Sequence, residues 1–329
     1  MARILLDAMG GDQAPAEIVA GAVEAAPMLK HDIVLIGDPA AISLHLPKPC
    51  PPNIHIHATS EVIGMCEKPI EAIRKKKDSS IVVGVDLVKQ GEGDVFVSAG
   101  NTGACSAASL LAWRQMPGFH RPAIASEFPN YHGRLLLLDA GASPDIDPEQ
   151  LVEFAIMGRA YANLVMGRAN PRVWLLNMGE EEGKGNLFAK TAYQILAKHE
   201  WFAGNIESKD MFDQPIDVVV CDAFVGNIVL KTAEGVAEII MRMIKDQVPS
   251  GLGALPYAPL KKLFRPLREK MDYAEYGGSP LLGLNHLTII CHGRSNAKAI
   301  KNALLLAQKA VDMGLLAKIR ESVALELPG

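Results

Sequence analysis

Short apolar runs alternate with longer stretches of helical period along most of the chain. RILLD (3–7) precedes PAEIVAGAVEAAPML (15–29), and DIVLIG (32–37) and NIHIHA (53–58) precede a helical stretch from about Lys68 to Gln90. DVFVS (94–98), AIASEF (123–128), RLLLLDAG (134–141), RVWLLNM (172–178), IDVVVCD (216–222) and LTIICHG (287–293) follow, with a long helix from about Pro148 to Met166 among them. Continuous apolar runs separated by helices predict a largely parallel sheet buried on both faces, a three-layer α/β/α fold with room for antiparallel edge strands. One catalytic domain over 1–329 is expected, with no internal repeat.

The pattern changes once. From about Glu234 to Tyr273 two helical stretches flank a tip broken by proline and glycine, a helical excursion from the main body. Leu260, Leu263 and Phe264 are interleaved there with Lys261 and Lys262, a basic amphipathic sequence suited to an anionic bilayer surface, to a carrier protein or to a partner subunit.

Several apolar runs empty into small polar loops: DAMGGDQAP (7–15), SAGNTG (98–103), NMGEEEGKGN (177–186), CDAFVGN (221–227) and CHGRSNAKA (291–299). In an open α/β sheet such loops gather beyond the carboxyl ends of the strands, where ligands bind, so the last four of these distant segments are expected to converge on one site. In SAGNTG, Gly100 and Gly103 permit close backbone approach while Asn101 and Thr102 offer hydrogen-bond donors to an anion. The loop has neither a Walker lysine nor a G-x-G-x-x-G spacing, and a plain strand-to-helix turn is its structural alternative. Gly10, Gly11 and Asp12 read equally well as a turn with a helix cap and as a direct ligand contact.

Lys184 lies between two glycines and beside Asn186, where a mobile ammonium meets an anionic substrate. Asn227 reads either as a helix cap or as an amide donor to an oxyanion, with Lys231 one turn on. His292 and Ser295 precede a helix whose N-terminus suits phosphate. Cys105 and Cys221 lie close to these loops but are expected to be buried small hydrophobes rather than nucleophiles. Asp7, Asp12, Glu180 and Asp222 show no metal-ligand spacing, so no metal and no cofactor is expected.

Composition narrows the field. A net charge of −4 over 329 residues argues against a nucleic-acid partner, and 49% hydrophobic residues support a substantial core. Five scattered cysteines without a C-x-x-C pair fit a reducing compartment, and the first apolar stretch is interrupted by Asp7, so a cytoplasmic protein is expected.

Taken in order, DAMGGDQAP, KKKDSS, VSAGNTGA, NMGEEEGKGN, CDAFVGN, EYGGSPLLG and HGRSNAKAIKNA closely resemble the bacterial phosphate acyltransferases that act on acyl carrier protein, from Arg3 to about Ala310. The resemblance implies transfer of a long-chain acyl group from acyl carrier protein to inorganic phosphate, giving acyl-phosphate for phospholipid synthesis. It also implies a homodimer and a fold similar to phosphotransacetylases and isocitrate/isopropylmalate dehydrogenases, while association with the inner face of the cell membrane is expected from the basic amphipathic stretch. Lys184, Asn186 and Asn227 fall on its KGN and GN motifs as catalytic residues, and Asn101 and Thr102 on its AGNTG motif. The chain departs from the pattern at Ala223 and Arg294, where glycine and a small residue are commoner. Direct attack of phosphate on the thioester is the expected chemistry, an acyl-cysteine at Cys105 or Cys221 its rival. A catalytically silent phosphate or carrier-protein sensor and a metal-dependent dehydrogenase of similar fold are the other classes.

Overall fold

Strands whose every side chain is buried need cover on both faces, and VFVS, VVV and LTII are of this kind. The computed structural model describes residues 2–246 and 273–326. The elements run β1 (Arg3–Asp7), α1 (Ala16–Ala25), β2 (Asp32–Gly37), α2 (Pro39–Ser43), β3 (Ile54–Ala58), α3 (Pro69–Lys75), α4 (Ser80–Lys89), β4 (Val95–Ser98), α5 (Thr102–Trp113), β5 (Ala123–Ile124), β6 (Ser126–Asn130) and β7 (Gly133–Leu138). They continue with α6 (Gln150–Leu164), β8 (Val173–Asn177), α7 (Leu187–Leu196), β9 (Phe202–Glu207), β10 (Val218–Val220), α8 (Ala223–Asp246), β11 (Ser279–Leu282), β12 (Leu287–Ile290), α9 (Ala297–Asp312) and α10 (Leu315–Glu326).

The strands divide between two sheets. One has the order β3-β2-β1-β4-β12-β11-β5 and the other β6-β7-β10-β8-β9. Pairing is parallel except at β11, which runs against both its neighbours, and at the edge strand β6. Alternation along each strand sorts its side chains between layers. Ile4, Leu6, Val95 and Val97 face α1 and α9, in a core that continues through α6 to Leu136, Leu138 and Val218 of the second sheet. Leu5 and Phe96 point the opposite way onto α4 and α5, and Leu137 and Val219 onto the face that α8 covers.

Two expectations are refined. The helical stretch from Lys68 to Gln90 is two helices, because Lys76 leaves helical geometry and Ser79, in extended conformation, starts the second. The excursion begins inside α8, whose last thirteen residues are 234–246; Leu260, Lys261, Lys262, Leu263 and Phe264 lie outside the described residues. Among the described residues no helix is long and apolar enough to cross a membrane.

The loops after β1 and β4 touch at Gly10, where a Cβ would stand 2.2 Å from Asp7 Oδ2 and 2.8 Å from Gly100 Cα. Overpacking of this kind costs about 1–3 kcal/mol. Gly10→Ala is therefore expected to lower the unfolding free energy by that amount, seen as a lower urea midpoint at unchanged m-value, and an unaltered midpoint would show that the contact yields.

Candidate active site

Three loops of the first sheet are locked together by buried polar groups. Asp7, at the end of β1, accepts hydrogen bonds from Ser98 Oγ at 2.7 Å and from the Met9 N–H at 3.0 Å. Ser98 Oγ in turn accepts the Gly100 N–H at 3.0 Å, and the Ser98 carbonyl accepts the Cys291 N–H at 2.8 Å. The Asp12 N–H donates to the Gly293 carbonyl at 2.8 Å, closing the set. Burial raises the Asp7 carboxyl above its usual range, against the pull of these donors.

Much of the expected anion-binding capacity is already occupied. Asn101 is buried; its Oδ1 caps α5 by accepting the Ala104 N–H at 3.0 Å, and its Nδ2 donates to the Gly64, Met65 and Glu67 carbonyls. The donors left at this helix start are the backbone N–H groups of Thr102 and Gly103 and the Thr102 hydroxyl. At α9, Asn296 accepts the Ala299 N–H at 3.0 Å, and Glu17 Oε2 accepts the Ala297 N–H at 2.7 Å. A carboxylate of this chain thus sits at the helix end proposed for phosphate. Ser295 is buried, with its hydroxyl unpartnered among the described residues. Gly100 is enclosed between Asp7, Ser98 and Ile81, while Gly103 is exposed.

His292 accepts the Arg294 N–H on Nδ1 at 3.1 Å, which places the proton of the neutral ring on Nε2. Burial first and Lys231 second hold its basicity below the usual imidazole range.

The other wall comes from the second sheet. Asp222, not Asn227, caps α8, accepting the Val225 N–H at 3.0 Å. Asn227, one turn into the helix, is thereby released from capping. Its position depends on Gly226, where a Cβ would stand 1.9 Å from the Asp139 carbonyl oxygen. Asn227 and Lys231 face Thr102 and His292 across a cleft of about 170 Å³, into which Glu234 and Tyr276 also project. Lys231 Nζ lies 2.8 Å from Glu234.

The KGN residues lie elsewhere. Asn186 caps α7 by accepting the Ala189 N–H at 2.9 Å, and with Asp222 and Val225 it lines a separate pocket of about 400 Å³ on another face of α8. Lys184 lines neither cavity; its ammonium lies 3.8 Å from Glu181, and its carbonyl accepts from Asn177 at 3.2 Å. Thr102, Asn227 and His292 are thus brought together, and Lys184 and Asn186 are not among them.

Cys105, Cys221 and Cys291 are buried, and burial pushes the Cys105 thiol up to about 12 and the other two upward as well. No group of three metal-ligating side chains occurs among the described residues. Lys231, one turn beyond Asn227 in the sequence, shares its helix face through the i+4 spacing. One residue escaped the sequence reading. Asp139 accepts four backbone N–H groups, from Ile124, Gly141, Ala142 and Ser143, and its only sequence signal is an acid ending an apolar run.

The cleft yields two expectations. Lys231 is its sole lysine or arginine among the described lining residues. Lys231→Met should raise the KM for an anionic substrate at least tenfold, measured by steady-state kinetics, whereas Lys184→Met should leave that KM within twofold. NMR titration should find His292 protonating below 6.5 and, in Lys231→Met, at higher pH, because one repelling cation is gone while Glu234, Arg294 and Asp12 remain around it.

The family model described as "Fatty acid synthesis protein" matches residues 2–318. A phosphate acyltransferase of Heliobacterium modesticaldum is 51% identical over 98% of this chain and 97% of its own length. Among solved structures, a phosphotransacetylase from Streptococcus pyogenes aligns over 94% of both chains with TM-score 0.62 at 17% identity. A branched-chain phosphotransacylase from Enterococcus faecalis aligns over 94% of this chain and 99% of its own with TM-score 0.56 at 14% identity. These solved structures share the α/β/α architecture. With whole-length identity of this order to its curated relatives, the chain belongs to the phosphate acyltransferase family and is an acyltransferase.

Proposed function

We propose that this chain transfers a long-chain acyl group from acyl carrier protein to inorganic phosphate, supplying acyl-phosphate for phospholipid synthesis. The observation that carries the reading is the cleft in which Thr102, Asn227, Lys231 and His292 meet. It combines a helix start, a cation, an amide and a neutral imidazole, the set that a phosphate nucleophile and a developing oxyanion require.

Phosphate is held by the Thr102 and Gly103 N–H groups, the Thr102 hydroxyl and Lys231, with His292 Nε2–H as a further donor. One phosphate oxygen attacks the thioester carbonyl carbon and forms a C–O bond. The carbonyl oxygen becomes an oxyanion stabilised by the Asn227 amide, and collapse breaks the C–S bond. The leaving thiol's reference pKa of about 8.5 means that little acid assistance is needed. Asn186, which lines the pocket on the other face of α8, meets the carrier-protein arm there, with Lys184 two residues before it on the same glycine-flanked loop. Thiols as strongly protonated as Cys105 and Cys221 are poor nucleophiles, which favours direct attack over an acyl-cysteine.

A homodimer and peripheral membrane association belong to the same reading. They draw support from Ile239, Ile240 and Met243, which α8 leaves exposed. The working compartment is the cytoplasm.

The test is acyl-phosphate formation from hexadecanoyl-carrier protein and phosphate. Asn227→Ala should lower kcat about 10²–10³-fold, the usual loss for one oxyanion donor. Wild-type protein that binds both substrates without turnover would be a sensor, and a trapped acyl-cysteine in the absence of phosphate would overturn direct attack.

A further inference from the structure

An apolar groove of about 590 Å³ runs between β6 and α8 and is lined by Phe128, Phe212, Ile228, Val229, Ala233 and Val236. It shares Glu127, Leu230, Glu234 and Tyr276 with the catalytic cleft, so the two cavities adjoin. We propose that this groove binds the hydrocarbon chain of the acyl substrate and sets the chain length that the enzyme accepts. The inference rests on the acyl-transfer reading above and adds where the chain lies.

Three observations favour a chain over other occupants. Ile228 and Val236 remain 49% and 50% exposed along the groove, a contiguous apolar surface that water covers at a cost. Glu127, the carboxylate at the junction, is already engaged by Tyr161 at 2.7 Å and by Arg134 at 2.8 Å, so its charge is compensated where the chain enters. The groove also has the length of a fatty chain. From Asn227 to Ala237, its far helical residue, α8 rises about 15 Å at ~1.5 Å per residue. An extended chain advances ~1.2 Å per bond, from ~3.5 Å for the three bonds of a peptide unit, so this span takes roughly twelve carbons. Beyond it Ile239, Ile240 and Met243 carry the apolar surface onward.

Each methylene buried changes binding about fourfold, so a groove that is blocked part-way penalises long chains and spares short ones. Ala233 packs against the core beneath the groove, where a larger side chain reduces its depth. The experiment compares kcat/KM for hexadecanoyl- and butyryl-carrier protein in wild type, Ala233→Trp and the milder Ala233→Leu. The expected result is a fall of at least tenfold in the hexadecanoyl-to-butyryl ratio for Ala233→Trp and a smaller fall for Ala233→Leu. If wild type turns over both donors and the ratio stays within twofold in both variants, the groove does not hold the chain. If the ratio is unchanged while sedimentation shows that oligomeric state has shifted, the groove belongs to a second copy of the chain and the proposal is overturned. Wild type that forms acyl-phosphate from neither donor would instead remove the acyl-transfer reading itself.

Discussion

The carboxylate of Asp139 is the joint on which the arrangement turns. It accepts N–H groups from Ile124 of the first sheet and from Gly141, Ala142 and Ser143 beyond the last strand residue of β7 in the second. Its backbone N–H pairs with the Cys221 carbonyl at the end of β10, and its own carbonyl lies beneath Gly226 in the first turn of α8. One residue therefore fixes the distance between the sheets and the depth at which α8, with Asn227 and Lys231, stands over the cleft. Burying a carboxylate is costly, and its pKa is raised by that burial. Four donors offset much of the cost, because hydrogen bonds to a charged group contribute roughly 1.5–3 kcal/mol each.

The same allocation of donors decides what the cleft can hold. Of two helix starts that face the loops, the one at α9 is filled by Glu17, and the Asn101 amide is spent in holding residues 64–67. The proposed phosphate therefore draws on the start of α5, Lys231 and His292, the last adding a donor without a second positive charge.

Much of this architecture was legible in the chain itself, because alternation along a strand and the polarity of the loop after it are local properties. VFVS followed by SAGNTG reads as a buried strand turning into a helix without knowledge of its neighbours, and the structure agrees on both elements. The division of the strands between two sheets falls at Ala125, between two short β segments in AIASEF, and nothing in that run announces it. Donor allocation was hidden for a different reason. Whether Asn101 serves a ligand or the carbonyls of residues 64–67, and whether Lys184 or Lys231 reaches the cleft, depends on partners tens of residues away. Asn227 of the GN motif lines the cleft shared with Thr102 and His292, while Asn186 of the KGN motif lines a pocket on the other face of α8.

The strand order also governs how the molecule is assembled during synthesis. All five strands of the second sheet lie between Ser126 and Val220, so that sheet is complete as soon as this stretch has been made. The first sheet has to wait, because β12 inserts between β4 and β11 near the end of the chain. Until residue 290 emerges, β4 presents an unpaired, largely apolar edge, the kind of surface that invites wrong partners. The nascent chain thus carries its greatest aggregation hazard at its oldest sheet, and the Ser98–Cys291 backbone bond beside the cleft is among the last contacts to form.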